Sequence, residues 1–294
     1  MTADRSQADR DQAGRDQAGR DQFELGLVQE TLFIPLVGRA RESRKRRPLL
    51  RDPRAAEILE SVGFDWSKYS RAGGWTTVVR SAIFDMWVRN FLAENPGGSV
   101  VELGTGLNTR FERVDNGTVH WIDLDLPDTI ALRRRFFADT DRRRMVAASI
   151  TDDSWLETVR ELPGPYFFLA DGVLPYLTEE DVTRTLANLA EQFPGALIAF
   201  DTYSEQMLAR EHKLAARRGV ARWQWACDDP RTLERLGLRV IEIDIMPRLP
   251  RALRETVPAG RRLRLAAVSP VFGRSMQATL FRAATSQPRI SEPD

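Results

Sequence analysis

The chain has 294 residues, 42% of them hydrophobic and 29% charged, enough to bury a substantial core in one large α/β domain or two ordinary ones. Its 43 basic and 42 acidic side chains leave a net charge of +1, so no global field points to a nucleic acid or a membrane surface. One cysteine, Cys227, excludes an internal disulfide and a multi-cysteine zinc site, and two histidines, His120 and His212, leave little for a histidine metal centre, so no metal is expected. No apolar run approaches the roughly 20 residues of a bilayer span, and the polar N-terminus has no signal-peptide core; a cytoplasmic protein is expected.

Residues 1–22 carry Asp11–Arg15 and then its copy Asp16–Arg20, with almost no large aliphatic side chain. Such a segment cannot offset its ordering entropy by burial and reads as a disordered polar tail. Residues 23–95 read as a helical region that helps close a site. Leu25, Val28, Leu32 and Leu36 give one apolar face. Val78, Val79, Ala82, Ile83, Met86, Trp87 and Phe91 give a second, stopped by Asn95–Gly98. Between them, eight Arg or Lys fall within 39–54. They form either a solvated face or a lip for an anionic ligand; without interleaved aromatics a nucleic-acid surface is the weaker reading.

From residue 96 onward strands alternate with helices. Ser99–Leu103, Val119–Asp125, Arg144–Ala148, Tyr166–Ala170 and Ala196–Phe200 read as strands. Residues 128–138 read as a helix, and Thr178 caps another with Asp181 three residues on. This alternation predicts a mostly parallel sheet covered on both faces. Leu238–Ile245 and Met276–Arg282 add a late hairpin-like pair with one antiparallel strand. Residues 203–228, with Arg210, Arg217, Arg218, Arg222, Trp223 and Trp225, read either as a lid after the fifth strand or as a helix resting its arginines on the core.

Glu102–Gly106 is the sharpest local feature. Gly104 and Gly106 allow a close backbone approach at the carboxyl end of the first strand. An acid about 20 residues on is expected to accept from ribose hydroxyls. Asp125 fills that place, and Asp123, with the same strand parity, is its rival. The third glycine of a dinucleotide loop is missing, since Leu107, Asn108 and Thr109 follow instead. That disfavours a pyrophosphate and favours S-adenosylmethionine, which has none. An NAD(P)-binding oxidoreductase and a non-catalytic nucleoside-binding protein are the alternatives.

Val101–Arg110, Trp121–Pro127 and Leu169–Leu177, with Thr31–Leu36 and Arg51–Pro53, resemble the leucine carboxyl methyltransferase family, and within it the bacterial branch of tetracenomycin-type polyketide O-methyltransferases. The resemblance spans about residues 24–283. It implies a class I, Rossmann-like methyltransferase with a seven-stranded sheet and S-adenosyl-L-methionine as cofactor. It implies that Arg80 holds the methionyl carboxylate, that Gly104 lies in the cofactor loop and that Asp125 binds the ribose. Ser149 and Ile150 would flank the adenine, and Asp171 would face the methionine ammonium. The family's N-terminal basic residue falls at Arg39 or Arg41. Asn108 stands where the family often has Asp, and Asp171 where it commonly has Glu. The acceptor would be a carboxylate or phenolic oxygen on a small natural product, with no nucleic acid or membrane partner and the oligomeric state left open. A carboxylate is ionised at neutral pH and needs no general base, whereas a phenol gains from one. His212 is a weak candidate base, and His120, inside a strand, reads as a packed residue.

Overall fold

The computed structural model describes residues 27–62, 74–218, 221–246, 249–255, 257–260, 262–263 and 275–285. The repeat-bearing tail lies outside the described residues. Three helices come first: α1 (Leu27–Ser43), α2 (Pro53–Val62) and α3 (Gly74–Glu94). The core then runs β1 (Ser99–Leu103), α4 (Arg110–Val114), β2 (His120–Asp125), α5 (Pro127–Arg133), β3 (Arg143–Ala147), α6 (Trp155–Arg160), β4 (Tyr166–Ala170), α7 (Glu179–Gln192) and β5 (Leu197–Tyr203). It ends with α8 (Glu205–Arg218), β6 (Leu238–Ile245), the short α9 (Arg251–Arg254) and β7 (Met276–Ala283).

The sheet has seven strands in the order β3-β2-β1-β4-β5-β7-β6. Strands β1 to β5 pair in parallel, and β7 lies antiparallel to both β5 and β6, so the late pair forms as the hydropathy pattern predicts. Alternate side chains serve opposite faces. Val101, Ile122, Phe168 and Phe200 join Trp155, Leu186 and Leu189 of α6 and α7. Val100, Trp121, Phe167 and Ala199 join Ile83, Phe84 and Trp87 of α3. Burial on both faces is why these strands read as unbroken apolar runs. No described helix is long and apolar enough to cross a membrane.

Thr178 caps α7 by accepting from the Asp181 amide, as expected. The helix expected over 128–138 stops at Arg133, because the Arg135 and Phe136 amides turn back to the carbonyls of Leu132 and Arg133, three residues away. That tightening tucks Phe137 under the Arg133 and Arg143 guanidiniums, 4.3 and 4.8 Å from its ring centre. Within 203–228 the described residues form α8 and a return segment over 221–228. The return is tied down by Gln224 N–H to the Pro175 carbonyl (2.6 Å) and Cys227 N–H to the Tyr203 carbonyl (2.7 Å). Arg210 and Arg222 are exposed, Trp225 is buried in the core, and Trp223 packs 4.3 Å from the Tyr203 ring centre.

Phe168 is fully buried against Trp155, Tyr166 and Phe193. Phe168→Ala should cost about 3–5 kcal/mol in a urea unfolding titration, through lost transfer energy and the cavity left behind.

Candidate active site

The strand register assembles the site. Leu103 pairs with Leu124 on one side and Ala170 on the other, and Ala170 pairs with Phe200. The residues that follow these pairs, Gly104, Asp125, Asp171 and Asp201, therefore line one edge of the sheet. This edge lies where β2 and β4 leave β1 in opposite directions, the crevice that open parallel sheets present to ligands.

Gly104 and Gly106 both sit in the left-handed region, with φ of 66° and 52°. A Cβ at Gly104 would collide with Val173, and one at Gly106 would come within 3.0 Å of Leu32 Cδ2. The sequence reading assigned the glycines to ligand approach; the structure adds that protein side chains from the β4 turn and α1 also demand them. The Gly106 amide donates to Asp125 Oδ2 at 2.7 Å, and the Leu126 amide to Oδ1 at 2.7 Å. A carboxylate offers about four acceptor positions, so these two amides do not exhaust it. Burial, only partly offset by those two amides, the nearby Arg133 charge and a hydrogen bond from the Thr129 side chain, raises the Asp125 pKa above the usual carboxylate range.

The rival acid is occupied. Asp123 is fully buried, accepts from Thr105 Oγ1 (2.9 Å), Trp121 Nε1 (3.0 Å) and Arg143 Nε (2.6 Å), and pairs with Arg133. Ser149 and Ile150 follow β3 directly beside Asp125, whose carbonyl accepts from the Ala148 amide at 3.0 Å. Ser149 Oγ lies 2.8 Å from Thr151 Oγ1, while the Ile150 side chain is buried in the core.

Arg80, on α3, contacts Asp171, donates to Asp201 Oδ2 at 3.0 Å and donates to the Tyr203 hydroxyl at 2.6 Å. Asp171 also accepts from Arg110 Nη2 at 2.7 Å and Ser81 Oγ at 3.3 Å. Burial alone would raise Asp171, but Arg80 and Arg110 outweigh it and hold its pKa well below the carboxylate range. Arg110 is fully buried and reaches Glu102 and Asp85 as well. Sequence reasoning missed Arg110, Glu102, Asp201 and Tyr203. Arg110 and Glu102 lie within the motif itself, and a buried strand holding an acid was the available signal for Glu102 and Asp201.

Arg39 and Arg41 differ in burial. Arg39 is buried, pairs with Asp52 at 2.8 Å and donates to the Leu107 carbonyl at 3.0 Å; Arg41 is exposed. The rest of the basic stretch is mainly a solvated face, with exposed pairs such as Arg44–Glu60. His212 is exposed, and its Nε2 lies 2.7 Å from the Trp223 carbonyl. A carbonyl only accepts, so that nitrogen carries a donated proton and is not free to take one. His120 is half-buried at the opposite end of β2 from Asp125. The described residues contain no cluster of His, Cys, Asp or Glu suited to a metal.

The leucine carboxyl methyltransferase family model matches residues 33–190, and the chain belongs to that family. It is an S-adenosylmethionine-dependent methyltransferase. It is 36% identical over 212 residues to the tetracenomycin polyketide synthesis O-methyltransferase TcmP of Streptomyces glaucescens, covering 70% of this chain and 78% of that one. It is 28% identical over 231 residues to the S-adenosyl-L-methionine-dependent methyltransferase dpfgK of Gibberella zeae, covering 70% and 77%. The fold matches a crystal structure of a methyltransferase from Thermobifida fusca with a TM-score of 0.58 and 17% identity, covering 90% of this chain and 97% of that one. The donor set fits the cofactor: a turn of two left-handed glycines, an acid with spare acceptor capacity, and an arginine beside an aspartate.

Glu102 Oε2 is buried and accepts no hydrogen bond among the described residues. Burial, opposed by Arg110 and reinforced by Asp123, pushes the Glu102 pKa up to about 7. The unfolded chain releases this proton near pH 4.5, so the folded state alone keeps it between there and about 7. Stability from this group is therefore present below about pH 4.5 and is lost as pH rises through about 7. Glu102→Gln should flatten that decline, changing the wild-type-minus-variant difference by about 1–3 kcal/mol between pH 5 and 8 in urea titrations.

Proposed function

We propose that this methyltransferase acts on a carboxylate or phenolic oxygen of a small, polyketide-like natural product. The likeness to a polyketide O-methyltransferase supports the acceptor class. The observation that carries the site assignment is the shared edge on which the Asp125 carboxylate faces Gly106 while Arg80 faces Asp171. Asp125 accepts from the ribose hydroxyls with the acceptor capacity its protein partners leave over. Arg80 and Asp171 together complement an amino-acid end, cation to carboxylate and carboxylate to ammonium. Arg80 is preset for this by Asp201 and Tyr203. Gly104 and Gly106 present bare backbone, and Ser149 and Ile150 border the adenine.

When bound, S-adenosylmethionine supplies an activated methyl on a cationic sulfur. The chain's own work is to bind, orient and exclude water. Helices α1 and α2 close the site from the N-terminal side, where Leu32 lies over Gly106. The return segment closes it from the other, where Trp223 rests on Tyr203. No side chain is assigned as general base; His212 is exposed and donates through Nε2 to the Trp223 carbonyl. The single cysteine, which precludes an internal disulfide, accords with a cytoplasmic setting.

Calorimetry should detect S-adenosylmethionine and its demethylated product, with NADH inert. Asp125→Ala should weaken either ligand by about 1–3 kcal/mol, the loss of a buried charged hydrogen-bond partner; wild-type affinity in that variant would reject the assignment. A panel of aromatic carboxylic acids and phenols incubated with cofactor should yield a product heavier by one methylene. With a carboxylate acceptor the turnover should be flat from pH 6 to 9, whereas a phenol acceptor should show turnover rising toward pH 10.

A further inference from the structure

We propose that Arg133 is a positioning residue that fixes the shape of the cofactor turn. The inference rests on the reading that Gly104–Gly106 receives the cofactor. Arg133 is fully buried at the end of α5, and its Nη1 donates to the carbonyls of both Gly106 (2.9 Å) and Asn108 (2.7 Å). Arg39 donates to the carbonyl between them, that of Leu107, at 3.0 Å. Three successive turn carbonyls are thus held inward by two buried guanidiniums.

The charge of Arg133 is met by Asp123, whose Oδ1 lies 3.1 Å from Nη2, and by the Phe137 ring face at 4.3 Å. Asp123 Oδ1 also accepts from Thr105 Oγ1 at 2.9 Å. The path Asp123–Arg133–Gly106–Thr105 therefore closes on itself beneath the turn. Gly106 is gripped on both sides, its carbonyl by Arg133 and its amide by Asp125. Without the first grip the 106–107 peptide is free to rotate, which releases the Gly106 backbone angles that aim the neighbouring 105–106 amide at Asp125. A lysine does not replace the fork, since its single nitrogen cannot occupy both the Nη1 position between the two carbonyls and the Nη2 position beside Asp123.

Two variants test this in the full chain, with S-adenosylhomocysteine as the calorimetric probe. Arg133→Lys should weaken binding about tenfold, and Arg133→Met combined with Asp123→Asn, which keeps the buried charge balanced, more than about thirtyfold. Leu189→Ala, in the apolar core around α7, serves as a destabilised control and should bind within about twofold of wild type. Amide exchange gives a readout free of ligand: the Gly106 amide should exchange at least about tenfold faster in Arg133→Lys, while the Trp121 amide, bonded to the Arg142 carbonyl, should not change. Unchanged Gly106 exchange with wild-type affinity in Arg133→Lys would overturn the proposal. Equal loss of affinity in Leu189→Ala would also overturn it, by making the effect one of general stability. Failure of the wild-type chain itself to bind the probe would overturn the cofactor reading and this proposal together.

Discussion

A charge taken out of water must be met by another charge and by enough hydrogen bonds, and this requirement organises the face of the sheet that carries the site. Arg110 is fully buried and touches Asp85, Glu102 and Asp171. Arg80 touches Asp171, Asp201 and Tyr203. The guanidinium is suited to this task because it stays charged and presents five donors in a fixed plane. Each arginine thus locks two strand ends to a helix, and the glycine turn is built on top of that lattice.

The two faces of the sheet solve different problems. The α6–α7 face is filled by Ile122, Phe168, Leu186, Phe193 and Phe200, and holds its shape by close packing. The α3 face carries apolar packing near the strand starts and ionic contacts near their ends, because Glu102, Asp123, Asp171 and Asp201 share the parity of the residues that face α3. Buried ion pairs contribute little net stability once desolvation is counted, but they fix geometry, since a misplaced partner leaves an unpaired charge in a dry place. An enzyme that must hold a ligand carrying both signs of charge benefits from that rigidity where the ligand sits.

The N-terminal helices extend the same arrangement. Phe33, Leu36, Ala55 and Ile58 pack with Leu107 of the turn and Ile130 and Leu132 of α5. That apolar contact brings Arg39 to the Leu107 carbonyl and Asp52 to Arg39 and Arg113. Helices remote in sequence from the glycine turn therefore become part of its support.

Much of the fold was legible along the chain because strand and helix periodicities, and the glycines that interrupt them, are local properties. The β1 turn, the acid closing β2, the cap at Thr178 and the antiparallel late strand all follow from short stretches read by themselves. Spacing could not separate Asp125 from Asp123, or Arg39 from Arg41, because each pair shares a parity or a neighbourhood and differs only in what lies opposite. It could not show Arg133 reaching back to Gly106, or Arg80 meeting Asp201 and Tyr203, because those contacts join residues 27, 121 and 123 positions apart. Sequence by itself determined which backbone shapes and charges exist at each strand end; the tertiary structure decided which charges are spent on one another and which are left for a ligand, since that depends on register and burial across the whole sheet.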